Sequence, residues 1–378
     1  MNRLERCYSI ADLRREAKRR LPWPVWEFLE GGSDDEWSLR NNERAFRRYS
    51  LMPRSLADVR LIDTATTVLG QRLEWPVMLA PTGMSRLYHE HGEPAVVRAA
   101  ARTGTLYSLS TYSSYTLEEI ARAASGPKMF QLFISPGWET SLRLIDRVRA
   151  ADYDVLCLTV DTTAPPNKER DYRTGIYTGA FSTRSVLSVL AHPRWLLGLL
   201  RGGAPRLANL GVGIREAKIL QWKEANQLDW ERVARIRDRW PRRFALKGVL
   251  SVVDAHRAAG IGVDAIIVSN HGGRQLDTVP APIDLVAAMA EAVGRDLEIL
   301  MDSGVRRGTD VLKALALGAK GVLIGRPYLY GLAAAGEAGV MRAIQILKDE
   351  LVRDMTLLGA PNLSVLDRSY LFGAPADR

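Results

Sequence analysis

Eight short apolar runs, each followed by a stretch of helical periodicity, constrain this chain more than any other feature. They occupy residues 77–80, 106–110, 128–133, 155–160, 243–247, 265–268, 298–301 and 321–324. Runs of this length without polar alternation read as strands buried on both faces, and strands alternating with helices build a parallel sheet from successive βα units. Eight such units match a closed (β/α)8 TIM barrel. An open doubly wound sheet would have fewer strands and a glycine-rich G-x-G-x-x-G first turn, and no such turn follows the first run.

Two additions depart from the minimal barrel, which is expected over residues 66–358 of a single domain spanning 1–378. The first is an N-terminal helical segment, residues 1–50, in which Ser9 can cap a helix and Leu21-Pro22 breaks it; it is expected to cover one end of the barrel. The second is an insertion at about 162–227, between the fourth strand and the helix near Trp230, long enough to be a lid. Inside it, residues 185–200 are apolar and aromatic, with W-L-L-G-L-L at 195–200 flanked by Arg184, Arg194 and Arg201. Two readings stay open: a lid helix packed on its own barrel, or a peripheral contact with a membrane surface.

Net charge is +9, from 52 basic and 43 acidic residues, a balance that suits phosphate, carboxylate, nucleic acid or an anionic membrane. No basic helix with interleaved aromatics supports nucleic acid, which is not expected as a partner. Cys7 and Cys157 lie far apart, with no disulfide framework and no metal-ligand spacing, so no metal site is expected. Without a signal-like segment, the expected location is the cytoplasm, with a peripheral place on the inner face of the membrane as the alternative.

In a (β/α) barrel the chemistry collects at the carboxyl ends of the strands. Here those ends carry Pro81-Thr82-Gly83, Ser110-Thr111-Tyr112, Gln131, Thr159 with Asp161, Lys247, Ser269 with His271 and Arg274, Asp302 with Arg306, and Gly325-Arg326. Packing does not account for polar groups at eight consecutive strand ends. S-N-H-G-G-R-Q-L-D, at 269–277, sets an imidazole and a guanidinium three residues apart straight after a buried strand. Alone, His-x-x-Arg is more often a hydrogen-bonded turn than a site; the other seven strand ends reverse that. M-D-S-G-V-R-R-G at 301–308 and I-G-R-P at 324–327 place glycines and arginines after strands seven and eight, where barrels bind phosphate.

On these motifs the chain resembles the FMN-dependent 2-hydroxy-acid oxidases and dehydrogenases, a family that includes glycolate oxidase, L-lactate dehydrogenase and mandelate dehydrogenase. The resemblance covers nearly the whole chain. It implies an FMN-bearing barrel, often a homotetramer, that oxidises a hydroxyl carbon next to a carboxylate. By motif, His271 resembles the family's base and Asp161, in T-V-D, the carboxylate that orients it. Imidazole is the side chain that takes and returns a proton near neutral pH. Lys247 resembles the cation beside the flavin pyrimidine. Thr82, Ser110, Gln131, Thr159 and Ser269, with Pro81 and Gly83 on the same loop, resemble the hydrogen-bonding cradle of the isoalloxazine. Asp302, Ser303, Gly304, Arg306, Gly325 and Arg326 resemble the ribityl and phosphate grip.

The substrate side departs from the family. Phe28, in L-P-W-P-V-W-E-F, and Phe133, in F-Q-L-F, stand where tyrosines are expected, and Lys168, in N-K-E-R-D, stands for an arginine. Arg274 remains as the anion ligand, and Tyr112 can return one hydroxyl. Each lost charge-assisted hydrogen bond removes roughly 1.5 to 3 kcal/mol. The expectation is therefore an atypical 2-hydroxy acid, larger or aromatic; the alternatives are a peptide- or carrier-linked substrate, and a flavin-binding protein with little catalysis. Gly83 resembles the dehydrogenases more than the oxidases, which points to a quinone or another carrier over oxygen.

Overall fold

The structure, a computed structural model, describes residues 3–134, 137–203, 206–213 and 227–373. Eight parallel strands close into a barrel: β1 (Val77–Thr82), β2 (Tyr107–Ser110), β3 (Lys128–Leu132), β4 (Val155–Thr159), β5 (Arg243–Val249), β6 (Ala265–Val268), β7 (Glu298–Met301) and β8 (Gly321–Ile324). Consecutive strands pair in parallel, β8 pairs with β1 to close the ring, and each strand is followed by a helix on the outer surface. Met78, Met129, Cys157, Ala265, Ile267, Leu300 and Leu323 point inward and form a core separate from the larger layer between strands and helices. A close-packed interior of this kind loses about 2–5 kcal/mol when Ile or Leu is cut to Ala.

The two ends of the barrel are treated differently. At the amino end a hairpin, Thr66–Val68 paired with Gln71–Leu73, inserts Val68, Leu69 and Leu73 into the inner core, and Glu298 at the foot of β7 accepts from the Leu69 N–H at 2.8 Å. The N-terminal segment does not perform this closure. It forms three helices: α1 (Ile10–Arg20), α2 (Trp23–Glu30) and α3 (Trp37–Ala45). Ser9 caps α1 in a reciprocal box with Asp12, and Leu21 ends it. α1 lies along the outer face of the last helix, while α2 and α3 reach the carboxyl end of the strands.

The described part of the insertion holds α4 (Glu169–Thr174), α5 (Thr183–Leu190), α6 (Pro193–Arg201) and a small hairpin, Arg206–Leu207 with Val212–Gly213. Residues 204–205 and 214–226 of the expected lid lie outside the described residues. α5 and α6 rest on the barrel's upper loops. Trp195 Nε1 donates to the Leu87 carbonyl at 2.7 Å, Arg86 donates to the Gly203 carbonyl at 2.9 Å, and the Trp23 N–H donates to Ser188 Oγ at 2.8 Å.

Candidate active site

A cavity of about 430 Å³ opens at the carboxyl end of the barrel. Of the strand-end and substrate-side residues singled out by sequence, all but Thr111, Asp161 and Ser269 lie on its wall, including Pro81, Thr82, Gly83, Gln131, Ser303, Gly304, Gly325 and Arg326. The loops that bring them together cannot pack as helix or strand. His271, Gly272 and Gly273 all take positive φ (58°, 67° and 72°), curling the chain so that the imidazole faces the cavity. A side chain on Gly273 would collide with the Leu39 backbone, so glycine is required there.

His271 Nδ1 lies 3.1 and 3.2 Å from the two carboxylate oxygens of Asp161, which stands behind the ring. That partner fixes Nδ1 as the protonated nitrogen and leaves Nε2 for the cavity. Arg274 donates from Nη1 to the Phe28 and Gly31 carbonyls at 2.9 and 2.8 Å, and its guanidinium carbon lies 5.3 Å from the centre of the Phe28 ring. Two carbonyls thus hold the side chain in place while Nε and Nη2 have no partner among the described residues. Lys168, half-buried at the mouth, has its pKa pushed down to about 7 by burial and by Arg274. Tyr112 stacks on Phe133 at 4.7 Å, and Phe133 lies 6.4 Å from the His271 ring.

Deeper in, Lys247 forms an ion pair with Asp302 at 2.8 Å, and both side chains are almost sealed from solvent. Burial opposes both charges, but the pair outweighs it: Lys247 is held above its ordinary pKa and Asp302 below. Ser269 does not reach the cavity. Fully buried, it accepts from Lys247 Nζ at 2.8 Å and from the His271 N–H at 3.1 Å, so it positions both groups instead of joining the cradle. Ser110 Oγ donates to Gln131 Oε1 at 3.0 Å, and Gln131 Nε2 donates to Thr159 Oγ1 at 2.8 Å, making a polar row beside Lys247.

At the other end, Arg306 pairs with Glu43 at 3.0 Å, and the helix Arg326–Leu358 starts at Gly325, where an added Cβ would meet nothing closer than 3.9 Å. Arg326 is tied to the carbonyls of Leu29, Glu30, Gly31 and Gly272, which leaves it a partly buried charge on the wall. A polar row with a cation at one end, and glycines, an arginine and a helix N-terminus at the other, fit a flat heteroaromatic ring carrying a phosphate tail. Sequence reasoning missed Tyr328, whose hydroxyl donates to the Ala80 carbonyl at 2.8 Å and accepts from Thr82 at 2.6 Å, and Tyr88, on the wall. A tyrosine inside or next to a helical turn carries no local signal of its role.

Comparison with known proteins agrees with this architecture. The FMN-dependent dehydrogenase family matches residues 17–372. A putative L-lactate dehydrogenase of Mycobacterium tuberculosis is 40% identical over 98% of this chain and 90% of its own length. An (S)-mandelate dehydrogenase of Pseudomonas putida is 36% identical over 97% of this chain and 94% of its own. The crystal structure of a monotopic membrane protein, (S)-mandelate dehydrogenase, superposes with a TM-score of 0.93 at 35% identity, covering 97% of this chain and 99% of that one. The protein belongs to the FMN-dependent dehydrogenases and oxidases of 2-hydroxy acids, and FMN is its cofactor.

Proposed function

We propose that this enzyme oxidises a 2-hydroxy acid bearing a bulky apolar or aromatic group to the 2-oxo acid, and passes the electrons to a membrane carrier. The carrying observation is the His271–Asp161 pair, 3.1 Å apart, with His271 and Arg274 on the wall of one cavity that Phe28, Tyr112 and Phe133 also line. His271 Nε2 takes the hydroxyl proton, and Asp161 stabilises the imidazolium that results. Arg274, through Nε and Nη2, and Lys168, as a point charge, hold the carboxylate. Phe28, Phe133 and Tyr112 surround the remaining group. FMN, when bound, supplies the two-electron acceptor for the C–H bond. Lys247 would stabilise negative charge at the ring's polar edge, and Ser110, Gln131, Thr159 and Thr82 would hold that edge. Asp302, Ser303, Gly304, Arg306 and Gly325 would hold the ribityl phosphate, with Arg326 adding charge from the same wall.

The membrane carrier is favoured by the outer face of the insertion, where Leu187, Leu190 and Leu200 are more than 60% exposed beside Arg184, Arg194 and Arg201. Among the described residues no helix is long and apolar enough to cross a membrane, and the exposed leucines beside arginines suit a surface contact.

Anaerobic mixing of the yellow holoenzyme with 2-hydroxy acids from glycolate to mandelate tests the reading. Aromatic members should bleach the flavin at least about tenfold faster than glycolate, and His271→Ala should retain FMN without bleaching. Equal rates across the series, or bleaching by the His271 variant, would sink it.

A further inference from the structure

We propose that Tyr88 is a substrate-recognition residue: its hydroxyl donates to the carboxylate that Arg274 and Lys168 attract, supplying the phenol that Phe28 and Phe133 lack. This rests on the reading of the cavity as a 2-hydroxy-acid site.

Tyr88 follows the single helical turn Ser85–Leu87 on the loop after β1, and is 5% exposed on the cavity wall. Its hydroxyl makes no hydrogen bond to any described residue. Two other buried phenols nearby are satisfied: Tyr328 by the Ala80 carbonyl at 2.8 Å and Tyr330 by Glu30 at 2.5 Å. Tyr107 is also unpaired, but its oxygen is sealed in the core, whereas that of Tyr88 is not. A buried hydroxyl without a partner costs stability, and one that opens onto a binding cavity has a ligand as its natural partner.

Its electrostatic surroundings identify which part of the ligand. Arg274, Asp171 and Arg326 all act on the Tyr88 phenol, and the same three groups act on Lys168. The loops after β1 and β4 therefore bring two side chains into one neighbourhood on the cavity wall, where Arg274 and Arg326 stand with Asp171, Glu93 also acts on the phenol, and Arg274 keeps donors free for an anion. Burial holds the phenol above its ordinary pKa, so it remains a protonated donor throughout the neutral range. Packing alone would be served by phenylalanine, as Leu87 and Leu329 serve it on the same wall.

Tyr88→Phe removes the hydroxyl and keeps the ring. In the holoenzyme it should raise KM for the best 2-hydroxy acid, and Kd for oxalate read from the perturbed flavin spectrum, by about tenfold or more. FMN content and Tm should stay at wild-type values, and kcat should change far less than KM. Unchanged KM and oxalate Kd would overturn the proposal. So would weakened oxalate binding that tracks FMN loss, because the residue would then be wall packing. If the wild type is bleached by no 2-hydroxy acid, the functional reading fails by itself; the oxalate comparison still decides whether Tyr88 binds an anion.

Discussion

Two lysines share this cavity and differ in what surrounds them. Lys247 is sealed against Asp302 and held ionised, so its charge does not vary in the neutral range. Lys168 has no such pairing to outweigh its burial, and with Arg274 nearby its pKa falls to about 7. The sign follows: Lys168 is an ammonium below about pH 7 and loses its charge as pH rises through that value. A carboxylate binds the charged form more tightly, so KM should climb between pH 7 and 9. Bound carboxylate raises the pKa of Lys168, so kcat should change less than kcat/KM over the same span. Lys168→Arg restores a permanent charge and should flatten the climb. Steady-state KM measured from pH 6 to 9 checks this; a wild-type KM that is level across the range would contradict it.

The elements show why S-N-H-G-G-R-Q-L-D is longer than its chemistry needs. Asp277 accepts from the backbone N–H groups of Trp37 and Ser38 at 3.0 and 2.7 Å, capping α3 from a distant loop. Asn270 and Asn42 exchange two amide hydrogen bonds, at 2.8 and 2.7 Å. Gly304 lies so close to the Asn42 carbonyl that no Cβ fits. α3 therefore clamps the loops after β6 and β7, which carry His271, Arg274 and the phosphate-side residues. These backbone donors outweigh burial and hold the Asp277 carboxyl below its ordinary pKa, so the cap is intact at neutral pH and is lost only as pH falls through that lowered value. Asp277→Ala should cost roughly 1–2 kcal/mol, lowering Tm and speeding FMN release, while kcat at saturating FMN changes little. Thermal melts and flavin fluorescence at pH 7 check it; wild-type Tm and FMN retention would count against the clamp. Chemistry and clamp were not equally legible in the sequence. The eight strands stood within two residues of their observed limits because buried apolar runs are local signals. His271, Arg274 and Lys247 stood out because strand ends have one purpose in a barrel. The α3 clamp, the hairpin floor, the place of Ser269 behind Lys247 and the open hydroxyl of Tyr88 are contacts between distant segments, and no local pattern encodes them.

Across the whole molecule, substrate cavity and apolar outer face meet through the insertion. α6 is fastened to the loop after β1 by Trp195, and its other side offers Leu197 and Leu200 to solvent at 52% and 67% exposure. A lid that served only to close the cavity would gain nothing from leucines facing outward, because each leaves apolar surface in water at about 25 cal/mol per Å². On a bilayer surface that cost becomes a gain, and Arg184, Arg194 and Arg201 add roughly 1 kcal/mol each against anionic headgroups. The holoenzyme should therefore sediment with vesicles of three parts phosphatidylcholine to one part phosphatidylglycerol. Half-molar salt should release part of it, since the arginines are screened while the leucines are not. The combined variant Leu187→Gln, Leu190→Gln and Leu200→Gln should stay in the supernatant and still bleach with substrate, because none of the three lies on the cavity wall. Wild type that fails to sediment at low salt would reassign the face to a protein partner; a triple variant that sediments as wild type does would show that the leucines are not the contact.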